Sequence, residues 1–445
     1  MILPFAVALA EGEEEERDED AIFGEPAAPP EAVEGEPFLD GERATTDADI
    51  LSRLGVHDDD VVVGGQLYLR LDGAFTEDTP ALEDDLSSPS LLDLFVDARP
   101  NDRVRAFVQG RLTHDVTVPA GGETDAFGNT TLPTEVLLDQ LWVKGDLWRK
   151  VYLTAGKQRI KWGTGRFWNP TDFLNAPKDP LAVFDERTGV ALVKAHVPFE
   201  ALGGNVYLVA DLQEAGSPRD VGGAARAEWL FGQTEVAASA HLQDAQPVRL
   251  GADVSSGIGP LDVHVEGAVR HGDRAPYYRG ELDFETFTFP DEYKRKDDWI
   301  PQVVGGAEVG LRLNDEDSLY LGAEYYWNDA GYDDVDLYPW IFVEGAYVPF
   351  QLGRQYAAAY VYLPSPGQWD DASFTASWIG NLSDGSNVAR LDVSGLVLTN
   401  LRVNAYGAYN FGEVGELRYS LEVEALDIAI PAPIATVGVG ARLEF

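Results

Sequence analysis

The chain has 445 residues, of which 45% are hydrophobic, and its formal charge is −43. This acidity excludes nucleic acid as a partner, because phosphate binding requires a basic surface. No run of 18 apolar residues occurs, which excludes a transmembrane helix, so a membrane protein of this composition would be a β-barrel with alternating lipid-facing and inward-facing residues.

The first ten residues resemble the end of a secretory signal peptide. A short apolar stretch closes with Ala8-Leu9-Ala10 before Glu11, which is a small-x-small cleavage pattern without a basic segment ahead of it. The alternative is an apolar terminus with no role. Residues 11–60 carry 19 acidic side chains against 3 arginines, so we expect an acidic, disordered periplasmic segment. The chain has no cysteine, which suits passage through an oxidising periplasm.

From Val61 onward, segments of 10 to 14 residues alternate between apolar and polar side chains. Leu67, Leu69 and Leu71 share one face of the first segment, while Tyr68 and Arg70 share the other. Residues 103–112, 261–270 and 417–424 alternate in the same way. These segments are longer than the usual strands of soluble proteins and match the length that a tilted strand needs to cross a bilayer.

The connections between these segments alternate in length. Short turns are predicted at 100–102, 146–148, 232–233, 257–260, 314–317 and 399–400, and long loops at 74–89, 115–133, 161–186, 273–299 and 328–349. Outer-membrane barrels have short periplasmic turns and long extracellular loops. The fold class is therefore all-β, a single large antiparallel up-and-down barrel over residues 61–445.

The number of strands is constrained by parity. About nineteen segments qualify, but two periplasmic termini require an even number. We predict 18 strands, with 16 as the alternative, and expect the surplus segment between residues 350 and 430. Aromatic residues near strand ends are predicted to form an interfacial girdle; they are Trp142, Trp148, Tyr152, Trp162, Trp229, Tyr325, Trp327 and Trp378.

Residues 434–445 are predicted to be the closing strand. Val437, Val439 and Leu443 share a face with the terminal Phe445. A terminal Phe behind an alternating strand resembles the assembly signal of Gram-negative outer-membrane proteins. The resemblance implies a location in the outer membrane, insertion by the barrel assembly machinery, and contact with outer-membrane lipid and lipopolysaccharide.

A second resemblance lies at Gly156-Lys157-Gln158-Arg159-Ile160-Lys161-Trp162-Gly163, followed by Asn169-Pro170-Thr171-Asp172. A strand ending in this pattern, before a loop with Asn-Pro, looks like porin-type barrels of the alginate-export and phosphate-selective kind. The resemblance implies a diffusion or export channel for small solutes and does not fix the solute. Oligomeric state is not indicated.

The alternation of side chains along the first strands predicts that several charged residues face the lumen. They are Arg70, Arg103, Arg105, Arg111, Lys157, Arg159 and Lys161, with Asp93 and Asp97 between them. Two interpretations remain open. A row of cations would ease the passage of anions, whereas an Arg–Asp ladder would only balance buried charge across neighbouring strands.

The loop at 162–186 is rich in aromatic residues for a solvated loop. We predict that it folds into the barrel and narrows it, with Arg166 and Lys178 facing an acidic pair, as inward-folded loops do in many barrels. The alternative is an ordered extracellular cap.

No cofactor is predicted. Acidic residues in the loops 74–89 and 328–349 could hold surface Ca²⁺ or Mg²⁺; they are Glu77, Asp78, Asp84, Asp85, Asp329, Asp333, Asp334 and Asp336. An enzyme is not expected, since neither His-Glu-x-x-His nor Gly-x-Ser-x-Gly occurs. The predicted function is a passive or weakly selective channel for small hydrophilic solutes, including anions, through a charged lumen narrowed by the 162–186 loop. The alternative is a structural or adhesion barrel with a closed lumen.

Overall fold

A computed structural model describes residues 60–445 except 78, 80–84, 125–129, 182–186, 245, 284–285, 315–316, 370 and 424–427. The predicted signal remnant at 1–10 and nearly all of the acidic segment at 11–60 therefore lie outside the described residues.

Eighteen strands form the wall of the molecule. The first nine are β1 (Val61–Thr76), β2 (Pro89–Asn101), β3 (Val104–Asp115), β4 (Thr134–Leu147), β5 (Val151–Gln158), β6 (Val190–Phe199), β7 (Gly204–Asp211), β8 (Gly222–Phe231) and β9 (Thr234–Leu242). The other nine are β10 (Val248–Ile258), β11 (Leu261–His271), β12 (Trp299–Arg312), β13 (Ser318–Asn328), β14 (Gln355–Pro364), β15 (Ala372–Asn381), β16 (Ser386–Leu398), β17 (Leu401–Gly412) and β18 (Pro433–Glu444).

Each strand pairs antiparallel with its neighbours in the sequence, and the sheet closes where β1 meets β18. The closing register runs from Gln66 opposite Glu444 to Ala74 opposite Thr436. Closure pairs β1 with β18, so neither terminal strand has an open edge, as a sheet that spans a bilayer requires. The predicted 18-strand barrel and its closing strand are confirmed. A short strand, Asp85–Ser87, also pairs with β1 in the first loop.

The surplus segment of the sequence prediction is 417–424, whose described residues, 417–423, are not part of the wall. β17 pairs directly with β18, and Leu421–Val423 pairs only with Ile428–Ile430. The backbone amide of Glu416 donates to Asp384 at 2.8 Å and that of Leu417 to Ser386 at 3.0 Å. These side chains take the amides that a wall strand would give to its neighbour, so the segment belongs to the loop after β17.

The two faces of the wall differ as the alternation predicts. Leu69 and Val265 are about half exposed on the outer face, whereas Tyr68 and Glu266 are almost fully buried on the inner face. A continuous apolar outer surface of this kind fits a hydrocarbon environment. The girdle prediction is wrong for three aromatics: Trp142 and Trp162 are buried inside the barrel, and Tyr152 stacks on the buried His196.

Long connections gather at one end of the barrel, opposite Asp60 and Phe445. Two of them, 272–298 and 329–354, meet in an apolar group at the mouth, which we call the mouth cluster: Tyr278, Leu337, Tyr338, Ile341 and Leu352. Tyr419, from the connection after β17, packs against this cluster. The second of these loops carries a short helix, α1 (Tyr338–Val343). Among the described residues, no helix is long and apolar enough to cross a membrane.

Candidate functional site

Between β5 and β6, the described residues 159–181 and 187–189 lie inside the barrel, and we call this segment the lumen loop. Asp139 of β4 ties its two ends together. Its carboxylate accepts a hydrogen bond from Arg159 at 2.5 Å and another from the backbone amide of Gly189 at 3.0 Å. Asp139 is fully buried, so this pair fixes the base of the loop in a region of low dielectric.

The loop then crosses to the opposite wall, where Glu266 of β11 receives it. One carboxylate oxygen accepts the amides of Thr164 at 2.8 Å and Gly165 at 3.3 Å; the other accepts the amide and hydroxyl of Thr171 at 2.7 and 2.8 Å. Gly163 has φ +88°, and a Cβ there would lie 2.6 Å from the same carboxylate. Only glycine permits this approach.

A second carboxylate holds the loop two wall strands further on. Glu324 of β13 accepts hydrogen bonds from the amides of Arg166 and Phe167, the latter at 2.8 Å. Trp168 follows and stacks on Tyr326 with ring centroids 5.4 Å apart, and it also contacts Tyr356 of β14. The loop is therefore anchored across the inside of the barrel, from β4 and β5 to β11, β13 and β14.

Four apolar side chains of the lumen loop pack against the inner wall. Ile160, Trp162, Phe173 and Leu174 are buried with wall residues that include Tyr207. Burying such side chains stabilises the folded loop by roughly 1.5–3 kcal/mol each. This packing explains the aromatic content that the sequence showed in this segment.

Basic side chains are concentrated on the loop. Arg166 lies over the Tyr360 ring at 3.9 Å, and the Lys178 ammonium donates to the backbone carbonyl of Arg166. Burial, followed by repulsion from Lys161 and Arg187, lowers the pKa of Lys178 to about 8. Arg187 is paired with Asp172 at 2.6 Å. Among the described residues, Arg166, Lys178 and Lys161 form no ion pair.

Four of the arginines predicted to line the lumen behave differently, because each has a carboxylate partner. Arg70 pairs with Asp72 at 3.1 Å, and the other pairs are Arg105 with Asp97 at 3.0 Å, Arg111 with Asp93 at 2.7 Å and Arg159 with Asp139 at 2.5 Å. On these strands the ladder interpretation describes the geometry. Asp93 and Asp97 are therefore engaged with the wall, and the carboxylates whose charges act on Arg166 are Glu308 and Glu324.

Two predicted lumen residues lie elsewhere. Lys157 pairs in register with Leu141 and Ala191, which lie on the outer face, and its ammonium donates to the Leu138 carbonyl at 2.6 Å. The wall strand ends at Gln158, so the alternation of inward and outward side chains stops there. Arg159 therefore lies inside the barrel although Lys157, two residues earlier, faces outward. Arg103 lies in the turn before β3, half exposed, and binds Asp146 at 2.9 Å.

Sequence reasoning missed the residues that receive the loop. Glu266 lies on the polar face of a recognised strand, but nothing local distinguishes it from other inward carboxylates. Glu324 and Tyr360 were missed for the same reason. A buried Arg226–Asp253 pair at 2.8 Å, in the wall between β8 and β10, also went unrecognised.

The acidic loops show no metal centre in the part of the chain that the structure describes, where no three acidic or histidine side chains are grouped to hold an ion. Several of the candidate carboxylates instead pair with arginine: Glu77 with Arg418, Asp329 with Arg295, and Asp333 with Arg354. Asp78 and Asp84 lie outside the described residues.

No family model matches the sequence, and no curated protein sequence is similar to it. The barrel is similar to solved structures of outer-membrane proteins. Pseudomonas aeruginosa OccK9 (OpdG) aligns with a TM-score of 0.53 at 10% identity, covering 87% of this chain and 99% of the other. Acinetobacter baumannii OccAB3 aligns with a TM-score of 0.50 at 8% identity, covering 87% and 100%.

The outer membrane protein opdK from Pseudomonas aeruginosa also aligns, with a TM-score of 0.50 at 10% identity, covering 87% of this chain and 99% of the other. The chain thus has the fold of these outer-membrane β-barrel proteins, and its apolar outer face is consistent with that fold. The narrower resemblance to alginate-export and phosphate-selective porins stays a prediction.

Proposed function

We propose that this barrel is a passive channel for small hydrophilic solutes with a preference for anions, and that the lumen loop sets its width and selectivity. The main support for this proposal is the position of Arg166 and Lys178. Both lie on a loop that Glu266 and Glu324 anchor across the lumen. Cations that line a pore lower the barrier for anions and raise it for cations.

The contrast between wall and loop supports this assignment. The wall arginines Arg70, Arg105 and Arg111 each lie against an aspartate, so their fields largely cancel at the distance of a passing solute. Arg166 and Lys178 form no ion pair with any described residue, and Lys178 has two further cations near it, because its pKa is lowered first by burial and then by the charges of Lys161 and Arg187. Selectivity then depends on the loop rather than on the ladder.

Planar-bilayer conductance of the purified chain tests the proposal. Deleting residues 165–180 is expected to raise single-channel conductance, because it removes the part of the loop that crosses the lumen. Unchanged conductance would contradict the narrowing role. Heat-modifiable migration on a gel verifies that the deletion variant still forms a barrel.

A single substitution tests selectivity without removing the loop. Arg166→Gln is expected to lower the anion-to-cation permeability ratio, by roughly two- to five-fold if one full charge is lost from the pore. Lys157→Gln is the matched control, because Lys157 shares its face with outer-face residues. Equal effects of the two substitutions would contradict the proposal.

A structural or adhesion barrel with a closed lumen is the second candidate. The mouth cluster favours it, because two long loops pack together at the end of the barrel and Tyr419 of a third packs against them. If the folded protein in lipid passes neither current nor small sugars, the channel proposal fails and this alternative stands.

A further inference from the structure

A cavity of about 400 Å³ opens on the outside of the barrel at the loop end of β10 and β11. Three exposed cations line it, Arg274, Lys294 and Lys296, together with His271 and Pro247. We call this cavity the rim site. It lies outside the lumen and has no part in the channel described above.

The rim site lies at the upper edge of the apolar belt. His271 is opposite Trp299 in the register of β11 and β12, and their rings are 4.7 Å apart. Trp299 is 55% exposed on the outer face, and Leu250 and Val303 continue that face below it. Tryptophan at this level marks the boundary between hydrocarbon and water. Because long loops are extracellular, the boundary is that of the outer leaflet.

The loop that carries the lysines is held in place by the residue between them. Arg295 is turned inward, where it binds Asp329 at 2.5 Å and Asp298 at 3.0 Å. Backbone hydrogen bonds from Gly272 to Asp298 and from Asp273 to Arg295 attach the loop to the end of β11. With Arg295 anchored, Lys294 and Lys296 are left exposed on either side of it.

The carboxylates around the rim site are largely engaged elsewhere. Asp273 binds Arg270 at 2.6 Å and the Tyr277 hydroxyl at 2.7 Å. Lys294 has only a long contact with Glu292, at 3.6 Å. Arg274 and Lys296 form no ion pair with any described residue. Three exposed cations therefore lie together at the rim site, in a chain whose formal charge is −43.

We propose that the rim site binds a phosphate group of a phosphorylated glycolipid in the outer leaflet. Lysine and arginine near a membrane surface attract anionic headgroups, and charge-assisted hydrogen bonds to phosphate oxygens are strong. The neighbouring Trp299 and apolar belt favour a lipid over a free phosphate, because they offer the acyl chains a surface directly below the cations.

The test measures binding of diphosphoryl lipid A to the full-length folded chain in detergent, by native mass spectrometry. Removing two cations with Lys294→Gln/Lys296→Gln is expected to weaken binding roughly 25-fold, about five-fold for each cation. Arg149→Gln/Lys150→Gln, in the turn at the opposite end of the barrel, is the matched control and is expected to bind normally. Heat-modifiable migration verifies that each variant is folded.

Three results would overturn the proposal. The first is equal lipid binding by the rim variant and the control variant. The second is equal binding of dephosphorylated lipid A by the unaltered chain, since phosphate would then not be recognised. The third is binding of inorganic phosphate alone as tightly as the lipid, which would assign the site to a soluble phosphate. Conductance is expected to be unchanged in the rim variant, so this test is separate from that of the channel.

Discussion

Glu266 accepts both the backbone amide and the hydroxyl of Thr171 through one carboxylate oxygen, at 2.7 and 2.8 Å. This contact joins β11 to a loop that starts and ends on the other side of the barrel. Since the second oxygen accepts two more amides, a single side chain holds much of the lumen loop.

Replacing Glu266 with Gln is expected to release this part of the loop. A carboxamide NH₂ cannot accept hydrogen bonds, and each lost bond to a charged group costs about 1.5–3 kcal/mol. The variant should show a higher and noisier single-channel current than the unaltered chain. Asp262→Asn, an exposed inward residue on the same strand, is the control. Identical current traces for both variants would contradict the docking role.

Anion preference should depend on pH through Lys178. Its pKa is lowered by burial and by the Lys161 and Arg187 charges to about 8. The ammonium is therefore charged below pH 8 and loses its charge above it, so anion selectivity should fall between about pH 7 and 9. Reversal potentials in a salt gradient measure this directly.

Two variants make the pH test specific. Lys178→Gln should abolish the pH dependence, whereas Lys161→Gln should move it to higher pH, because removal of a nearby positive charge raises the pKa of Lys178. A selectivity that stays constant from pH 6 to 9 in the unaltered chain would show that Lys178 does not act on the permeating ion.

Asp139→Asn should destabilise the barrel strongly. The substitution leaves Arg159 buried without its charged partner, which costs about 3–5 kcal/mol. We expect the folded form to be lost at a lower temperature in heat-modifiable gel migration. Asp102→Asn is the control, because the exposed Asp102–Arg149 pair contributes no more than about 1 kcal/mol. If the two variants melt together, the buried pair is not a structural anchor.

Phe445→Ala should slow assembly more than it lowers stability. The backbone of Phe445 exchanges two hydrogen bonds with Gly65, at 2.8 and 3.0 Å, and these survive the substitution. Phe445 is 59% exposed, so stability should change by about 0.5 kcal/mol or less. The yield of folded barrel in vesicles containing the assembly machinery should fall. Tyr409→Ala, which removes an outer-face aromatic of similar exposure from β17, is the matched control. Equal yields would count against the signal role.

The sequence predicts the barrel well, because the alternation of Leu67, Leu69 and Leu71 with polar neighbours is local and period 2 has one physical meaning. The same rule fails at 417–424. That segment alternates equally well, but Asp384 and Ser386 bind the amides at its start. Those partners are more than thirty positions away, so no local pattern shows them.

The lumen loop was predicted from its aromatic residues, but its docking partners were not. Trp168 contacts the rings of Tyr326 and Tyr356, and the backbone amides of the loop donate to Glu266 and Glu324. All four partners belong to strands on the opposite wall. The alternation of inward and outward side chains also gives a wrong prediction where a strand ends. Arg159 lies inside the barrel because it follows the last wall residue, and for the same reason Lys157 does not share its direction.

The closing register has a consequence for folding kinetics. The Asn404 amide donates to the Tyr68 hydroxyl at 2.8 Å, although the two residues are 336 positions apart. Pairing between such distant segments carries a large loop-closure entropy and gives a high contact order, which slows folding. The pairing of β1 with β18 is thus expected to be the late, rate-limiting step of folding. The hairpins between strands that are neighbours in the sequence are expected to form before it.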